Sequence, residues 1–319
     1  MKTIIKILLI LAVSFIVLGG IIFTVGMFAN GWDFTSMSNV YYENKTYENS
    51  ASNIDNIVVD VDTENVEFLL VDSDKITVEY SNALNKKGNF ISEIIPKIDG
   101  NTLSLKEFDK KFSLTFSFLS NKRNVVVKIP QNKVFSIKVE TSTGDVIIGE
   151  QNKETTYSKI DVETTTGRFK VLGKINCLDS FIAELDTGSI ISNGEINCDN
   201  LVEFEVDTGK ITLNSKLNAK RVKFQSDTGK ITLNEVVANA ITLKVSTGDI
   251  VCESPILASD IEIIASTGDV KLILKGAKAD YSYYYDISTG RSNISPYISG
   301  SNVVRVKTTT GDVDVYFKE

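Results

Sequence analysis

The tetrapeptide Asp186-Thr187-Gly188-Ser189 has the composition of the turn that holds the catalytic carboxylate in aspartic proteases. Such an enzyme needs two carboxylates that share a proton, one from each of two lobes or subunits. The next copies of Asp-Thr-Gly begin only 21 and 41 residues later, at Asp207 and Asp227. This spacing does not fit two lobes, and it predicts that Asp186 caps a turn.

Histidine-dependent chemistry is excluded, because the sequence contains no histidine. The chain therefore cannot use imidazole acid–base catalysis, a histidine-activated nucleophile or a histidine-ligated metal. The sequence also lacks zinc-type ligand spacing and a complete phosphate-binding loop. We therefore expect no enzymatic activity and no cofactor. The alternative is a β-helical polysaccharide-processing enzyme, which would need Asp clustered with Arg or Lys in a groove.

A series of glutamates is the second group that could do chemistry. Glu140, Glu163, Glu184 and Glu205 each stand four residues before a recurring glycine. In register they would form an outward ladder of like charges, which costs free energy unless it is compensated. Two interpretations stay open: compensation by neighbouring lysines such as Lys138, or a site for a divalent cation or a cationic partner, since hard cations favour carboxylate oxygens.

Two cysteines share one position in adjacent repeats. Cys177 and Cys198 each follow a recurring glycine by ten residues, so stacked repeats would bring them together. They form either a disulfide or two buried free thiols, because side-by-side strand geometry is often poor for a disulfide. Cys252 occupies an apolar position of its repeat and is expected in the core.

All these residues belong to a repeat of about 21 residues. The dipeptide Thr-Gly recurs at spacings of 19 to 23 residues. Apolar residues alternate with polar ones on both sides of each glycine, which predicts two half-buried strands per repeat. Single repeats of this size cannot bury their own apolar face, but stacked ones can. The nine repeat glycines are Gly144, Gly167, Gly188, Gly209, Gly229, Gly248, Gly268, Gly290 and Gly311.

The sequence therefore predicts an all-β fold, a β-solenoid-like stack of about nine repeats after an N-terminal transmembrane helix. Glycine suits the corner between the two strands, because a tight turn often needs positive φ. Two residues before each glycine stands Ser, Thr or Asp, whose side chains can accept hydrogen bonds from turn N–H groups.

The N-terminal segment predicts a membrane anchor. Residues 7–28 are uncharged and strongly apolar, long enough to cross a bilayer as a helix. We favour an uncleaved anchor over a cleaved signal peptide, whose apolar core would be shorter. Lys2 and Lys6 precede the span, so the N-terminus is expected in the cytoplasm and the C-terminal domain outside, at the cell membrane.

Five regions follow from these patterns. Residues 1–6 are the cytoplasmic N-terminus, 7–28 the transmembrane anchor and 29–55 a polar stalk. Residues 56–135 form an irregular β capping region, and 136–319 the Thr-Gly solenoid. The capping region opens with a degenerate repeat that has Glu64 in place of glycine, and an insertion at 106–123 interrupts it.

The charge balance of the chain limits the classes of partner that it can bind. The chain has a formal net charge of −7, and the part beyond Lys2 and Lys6 is more acidic still. An acidic surface argues against nucleic acid as a partner. We expect the membrane to be contacted through residues 7–28, and an envelope protein or a cell-wall polymer to be bound by the solenoid. The sequence leaves the oligomeric state open.

The entry into the repeats, RNVVVKIPQNKVFSIKVETSTGDV at 123–146, followed by recurring Ser/Asp-Thr-Gly-Asp/Lys units behind an anchor, resembles the bacterial putative-adhesin family of β-strand-repeat proteins. LiaG-like envelope proteins belong to this family. The resemblance covers residues 56–319. It implies an anchored extracytoplasmic β domain, linked with envelope stress in Gram-positive bacteria, and it supplies no catalytic residues.

Overall fold

A computed structural model describes residues 2–29, 31, 40–85, 87–109 and 123–319. Most of the insertion expected at 106–123 therefore lies outside the described residues. The chain divides into two compact units. The first contains the helix α1 (Lys2–Ala29), and the second contains the stack of repeats.

Helix α1 is followed by strands. They are β1 (Val40–Ser50), β2 (Asn56–Val61), β3 (Asn65–Val71), β4 (Lys75–Asn85), β5 (Phe90–Asp99), β6 (Thr102–Asp109), β7 (Asn124–Pro130), β8 (Phe135–Thr143), β9 (Val146–Ile148), β10 (Glu154–Val171), β11 (Lys174–Cys177), β12 (Ser180–Ser192), β13 (Ile196–Leu213), β14 (Leu217–Leu233), β15 (Val236–Val237), β16 (Ala240–Thr247), β17 (Ile250–Cys252), β18 (Ile256–Leu257), β19 (Asp260–Thr267), β20 (Val270–Lys275), β21 (Tyr281–Thr289), β22 (Asn302–Thr310) and β23 (Val313–Lys318).

The repeats stack as predicted, in a β-solenoid of about eight turns. As far as β19, each repeat pairs in parallel and in register with the next, so that Gly167 lies opposite Gly188, and Gly188 opposite Gly209. Parallel pairing of consecutive repeats buries one continuous apolar interior. The alternating strand pattern follows from this, because every second residue faces that interior.

A column of aromatic rings fills the centre of the interior. Phe169 and Phe181 have ring centroids 5.8 Å apart, and Phe181 and Phe204 are 5.3 Å apart. Phe204 stacks on Phe224 at 4.9 Å. All four rings are fully buried. These contacts join four successive turns of the stack, one ring from each, so the rings contribute to packing between repeats.

The N-terminal end of the stack contains the degenerate repeat. Strand β2 pairs with β8 and β3 pairs with β9, which places Glu64 beside Gly144 at the first corner. The prediction that residues 56–68 form a repeat with Glu64 in the glycine position is confirmed. Beyond it, β6 pairs with β2, and β7 pairs with β3 in parallel and with β4 antiparallel. Strand β1, which lies within residues 29–55, pairs with β4.

The C-terminal end departs from chain order. Strand β22 pairs with both β19 and β21, so it lies between two strands that precede it in sequence. Strand β21 is therefore the last long strand of the stack. Tyr281 and Tyr283 are buried there, whereas Tyr285 is 37% exposed because no further repeat covers it. The backbone of Tyr297 exchanges two hydrogen bonds with that of Tyr283, which pairs part of this edge.

Candidate binding surface

The corner glycines are packed directly on one another. A Cβ atom on Gly209 would lie 1.7 Å from the carbonyl oxygen of Gly188, and Gly209 has φ +145°. The contact recurs at each repeat, and the N–H of Gly248 donates to the carbonyl oxygen of Thr267 at 2.7 Å. Only glycine meets both the steric and the conformational requirement. The corner therefore forms a straight edge along the stack.

An exposed ladder of threonines lies along this edge. The residue before each corner glycine is threonine, and each pairs with the threonine of the next turn, as Thr187 does with Thr208. All of these side chains are exposed. Neighbouring strands are about 4.8 Å apart, so the hydroxyl groups recur at about that interval. The ladder runs in the spatial order Thr143, Thr166, Thr187, Thr208, Thr228, Thr247, Thr267, Thr310 and Thr289.

Aspartates one residue after the glycine bind the corner backbone. Asp145 accepts a hydrogen bond from the N–H of Arg168 at 3.1 Å, and its carboxylate also pairs with the guanidinium of Arg168 at 2.6 Å. Asp249 accepts from the N–H of Asp269 at 3.1 Å in the same way. The expectation from sequence assigned this role to the residue two before glycine. There, Ser246 instead donates to the side chain of Asp227 at 3.4 Å.

Asp186 lies exposed at its corner. Its repeat stacks on the one that contains Asp207, and within the described chain no hydrogen bond joins the two carboxylates. A dyad needs two carboxylates close enough to share a proton in a site shielded from water. The position of Asp186 agrees with the turn predicted for it.

The four glutamates lie in one column, as predicted. Glu163 is paired with Glu140 and with Glu184, and Glu184 with Glu205. Lys138 forms an ion pair with Glu140. In the described residues, no group of three or more His, Cys, Asp or Glu side chains could hold a metal ion. The Lys138–Glu140 pair supplies part of the compensation expected for this column, and the cation site stays a prediction.

Cys177 and Cys198 lie opposite each other on adjacent turns, and both thiols are free and buried. The two facing thiols act on each other, so that Cys198 raises the pKa of Cys177 and Cys177 lowers that of Cys198. Each sulfur also lies 3.2 Å from a backbone oxygen, that of Ser180 for Cys177 and that of Leu201 for Cys198. Burial raises the pKa of Cys252 to about 12, as expected of a core thiol.

Two carboxylates and one guanidinium are buried at the first corner, where sequence reasoning found only Glu64. The Glu64 side chain is fully buried and Glu107 is 3% exposed. Arg123 lies 2.5 Å from Glu64 and 2.9 Å from Glu107. Glu107 also accepts a hydrogen bond from the N–H of Asp62 at 2.7 Å. Burial, followed by the Glu107 carboxylate, raises the pKa of Glu64 to about 8.

This raised pKa predicts a pH-dependent stability. Below its ordinary pKa of 4.5, Glu64 is protonated in both the folded and the unfolded state. As the pH rises towards 8, the unfolded chain loses this proton while the folded chain keeps it. Glu64 alone therefore lowers the free energy of unfolding by roughly 1.4 kcal/mol per pH unit between its ordinary pKa and its raised pKa. Above the raised pKa it is deprotonated in both states and adds no further pH dependence. We expect Glu64→Gln to remove this part of the slope.

Urea denaturation of the full chain in detergent between pH 5 and pH 9 measures the effect. The exposed Glu253 provides a matched control, since Glu253→Gln should leave the slope unchanged. An identical slope in the wild type and Glu64→Gln would show that Glu64 does not hold a proton in the folded state.

The sequence matches a family model, and this match agrees with the β-strand-repeat resemblance. The model, described as Toastrack DUF4097, covers residues 54–316. This range includes all nine corner glycines and the first corner with Glu64. No curated protein matches the chain significantly.

Several solved structures are similar at low identity. A putative adhesin from Bacteroides fragilis is 14% identical with a TM-score of 0.44, covering 86% of this chain and 97% of its own. A putative adhesin from Parabacteroides merdae has the same identity and TM-score, with coverage of 87% and 97%. A putative lipid binding protein from Parabacteroides distasonis is 16% identical with a TM-score of 0.29, with coverage of 70% and 96%. At these values the likeness does not transfer a function.

Proposed function

The chain belongs to the Toastrack DUF4097 family, and from the geometry of its stack we propose that it is a membrane-anchored binding scaffold. In this proposal the solenoid lies outside the cell and presents its threonine ladder to an extended polymer of the cell envelope. Because the resemblance to LiaG-like proteins implies a link with envelope stress, we extend the proposal to envelope maintenance under stress.

The threonine ladder is the observation that supports a polymeric ligand. It offers the same exposed hydroxyl at every turn from Thr143 to Thr289. A small molecule would contact only one or two of these groups, whereas an extended chain along the edge can use many of them. Hydroxyl groups both donate and accept hydrogen bonds, which suits a polymer rich in hydroxyls, such as a polysaccharide. Weak contacts repeated along a rigid edge add up to useful affinity.

Helix α1 supports the anchoring. Its segment Leu11–Ala29 is long and apolar enough to cross a membrane. At about 1.5 Å per residue it spans about 28 Å, close to the thickness of the hydrocarbon core of a bilayer. Lys2 and Lys6 precede the segment, so the positive-inside rule supports a cytoplasmic N-terminus and an external solenoid.

The charged side chains support binding over catalysis. Along the glutamate column the carboxylates follow one another at one per turn, as Glu163 and Glu184 do. A polysaccharide-cleaving enzyme needs two carboxyl groups placed on either side of one bond. The carboxylates at the first corner, Glu64 and Glu107, are buried around Arg123, where a polymer cannot reach them.

Co-sedimentation of the full chain in detergent with purified, insoluble cell wall tests the proposal. We expect Thr187→Val, Thr208→Val and Thr228→Val, combined in one variant, to bind at least about tenfold more weakly, because three hydrogen bonds of about 1 kcal/mol each are lost. The matched variant with serine at these three positions keeps the hydroxyls and should retain binding. Equal binding by the valine variant and the wild type would refute the ladder as the contact. Release of soluble sugar would instead indicate an enzyme.

A further inference from the structure

The long strands of the repeats form one wide outer face of the stack, here called the broad face. It consists of the outward side chains before the corner in β6, β2, β8, β10, β12, β13, β14, β16, β19, β22 and β21, in spatial order. These side chains are largely half-buried or exposed. The face is therefore a continuous surface of parallel strands that is open to solvent.

The charges on the broad face separate by sign along the stack. From β6 to β13, carboxylates outnumber the three lysines Lys106, Lys138 and Lys159. From β14 to β21, cationic groups outnumber the three carboxylates Asp260, Glu262 and Asp286. The sign changes between the adjacent strands β13 and β14. The carboxylates of the acidic half are Asp60, Glu140, Asp161, Glu163, Glu184, Glu203 and Glu205, and the cations of the basic half are Arg221, Lys223, Lys244, Arg305 and Lys307.

Two charges close to this change of sign form no close ion pair within the described chain. Glu184 lies on β12, one strand before β13, and Lys244 lies on β16, one strand after β14. Neither forms an ion pair in the described residues. Burial and the neighbouring carboxylates, led by that of Glu205, raise the pKa of Glu184. The charged form of Glu184 is therefore disfavoured, and a cation placed directly against it from outside would be favourable.

We propose that the broad face binds a second copy of this chain, with the two stacks antiparallel, so that the acidic half of each copy lies against the basic half of the other. A two-fold axis at the boundary between β13 and β14 brings Glu184 of each copy against the partner's Lys244. The same surface serves both copies, as a two-fold interface requires. Both charges then acquire a directly opposed counterion.

The broad face is large enough for a stable dimer. Eleven strands spaced about 4.8 Å apart, each about seven residues wide at about 3.3 Å per residue, cover on the order of 1,100 Å². A stable interface takes about 800 Å² from each partner. Ile182 and Ile264 point outward from this face and add apolar contact to it. The threonine ladder lies at the corner beyond this face, so dimerisation leaves it free to bind a polymer.

Sedimentation equilibrium of the full chain in density-matched detergent tests this inference by charge reversal. We expect Glu184→Lys and Lys244→Glu each to raise the dimer dissociation constant at least about tenfold, because each turns two attractive contacts into repulsive ones. The double variant restores both contacts with reversed polarity and should recover the wild-type constant. Added salt should weaken the wild-type dimer.

The controls separate this interface from other contacts. Lys271→Glu reverses an exposed charge on β20, outside the broad face, and should leave the dissociation constant unchanged. Neither reversal on the broad face breaks an ion pair of the described chain, so both variants should fold. A chain that is monomeric at all concentrations overturns the inference. So does a dimer whose constant does not respond to the two reversals, since such a dimer would associate through another surface, such as the apolar helix.

Discussion

Replacing Gly209 by alanine should disrupt the stack at its centre, with a loss of more than about 4 kcal/mol in the free energy of unfolding. The added Cβ would lie 1.7 Å from the carbonyl oxygen of Gly188, at a residue whose φ is +145°. Backbone, not a flexible side chain, would have to move. Because each corner rests on the one before it, a shift at Gly209 would also displace Gly229. Urea denaturation of the full chain in detergent measures the loss.

Gly100 provides the matched control for Gly209. It also has positive φ, +59°, but a Cβ there would meet nothing within 4 Å. Gly100→Ala should therefore cost only about 1 kcal/mol, the usual price of a non-glycine residue in this conformation. If the two substitutions destabilised the chain equally, backbone conformation and not the close packing of the corners would explain the requirement for glycine.

Periodicity made most of the fold predictable. The spacing of the Thr-Gly pairs predicted the parallel stack, the shared position of Cys177 and Cys198, and the degenerate repeat at Glu64, all of which the structure confirms. These features depend on where a residue lies within its own repeat. In a stack, that position also determines which residue lies opposite on the next turn, so a local pattern carries tertiary information.

Features that break the period were not predictable. The insertion of β22 between β19 and β21 involves three strands with equivalent patterns, and nothing in their sequences distinguishes one order from the other. The buried group at the first corner joins Glu64 to Glu107 and Arg123 across non-repeating sequence. The role of Asp145 and Asp249 was available from the sequence, since aspartate recurs after the corner glycine. The residues two before the glycine, to which the prediction gave this role, are also Ser, Thr or Asp, so residue type alone does not distinguish the two positions.

The candidate surface was predictable only in part. The repeat made the glutamate column predictable. The basic half of the broad face, which faces this column in the inferred dimer, was not predictable because it lacks a recurring motif. Lys244 and Lys307 share one column of the face, but Ile264 lies between them, so no cation recurs on consecutive turns as the glutamates do. The change of sign becomes visible only when the strands are placed in spatial order, with β22 before β21.

Phe204→Ala should be the most damaging single truncation in the interior, at about 3–5 kcal/mol. The Phe204 ring stacks on Phe224 at 4.9 Å and meets the edge of Phe181 at 5.3 Å, so its removal opens a cavity that borders two neighbouring turns. Closing this cavity would require the strands on both sides to approach each other. Their spacing is fixed at about 4.8 Å by the hydrogen bonds between them, so the cavity cannot collapse.

The exposed Phe108 is the matched control for Phe204, because it is the same residue type outside the interior. It is 44% exposed, and Phe108→Ala should cost less than about 1 kcal/mol because it leaves no cavity. The free energy of unfolding of each variant, from urea denaturation of the full chain, gives the comparison. A loss below about 2 kcal/mol for Phe204→Ala would show that the strands can close over the missing ring. The interior would then tolerate size changes from turn to turn, and the corner glycines alone would hold the repeats at their spacing.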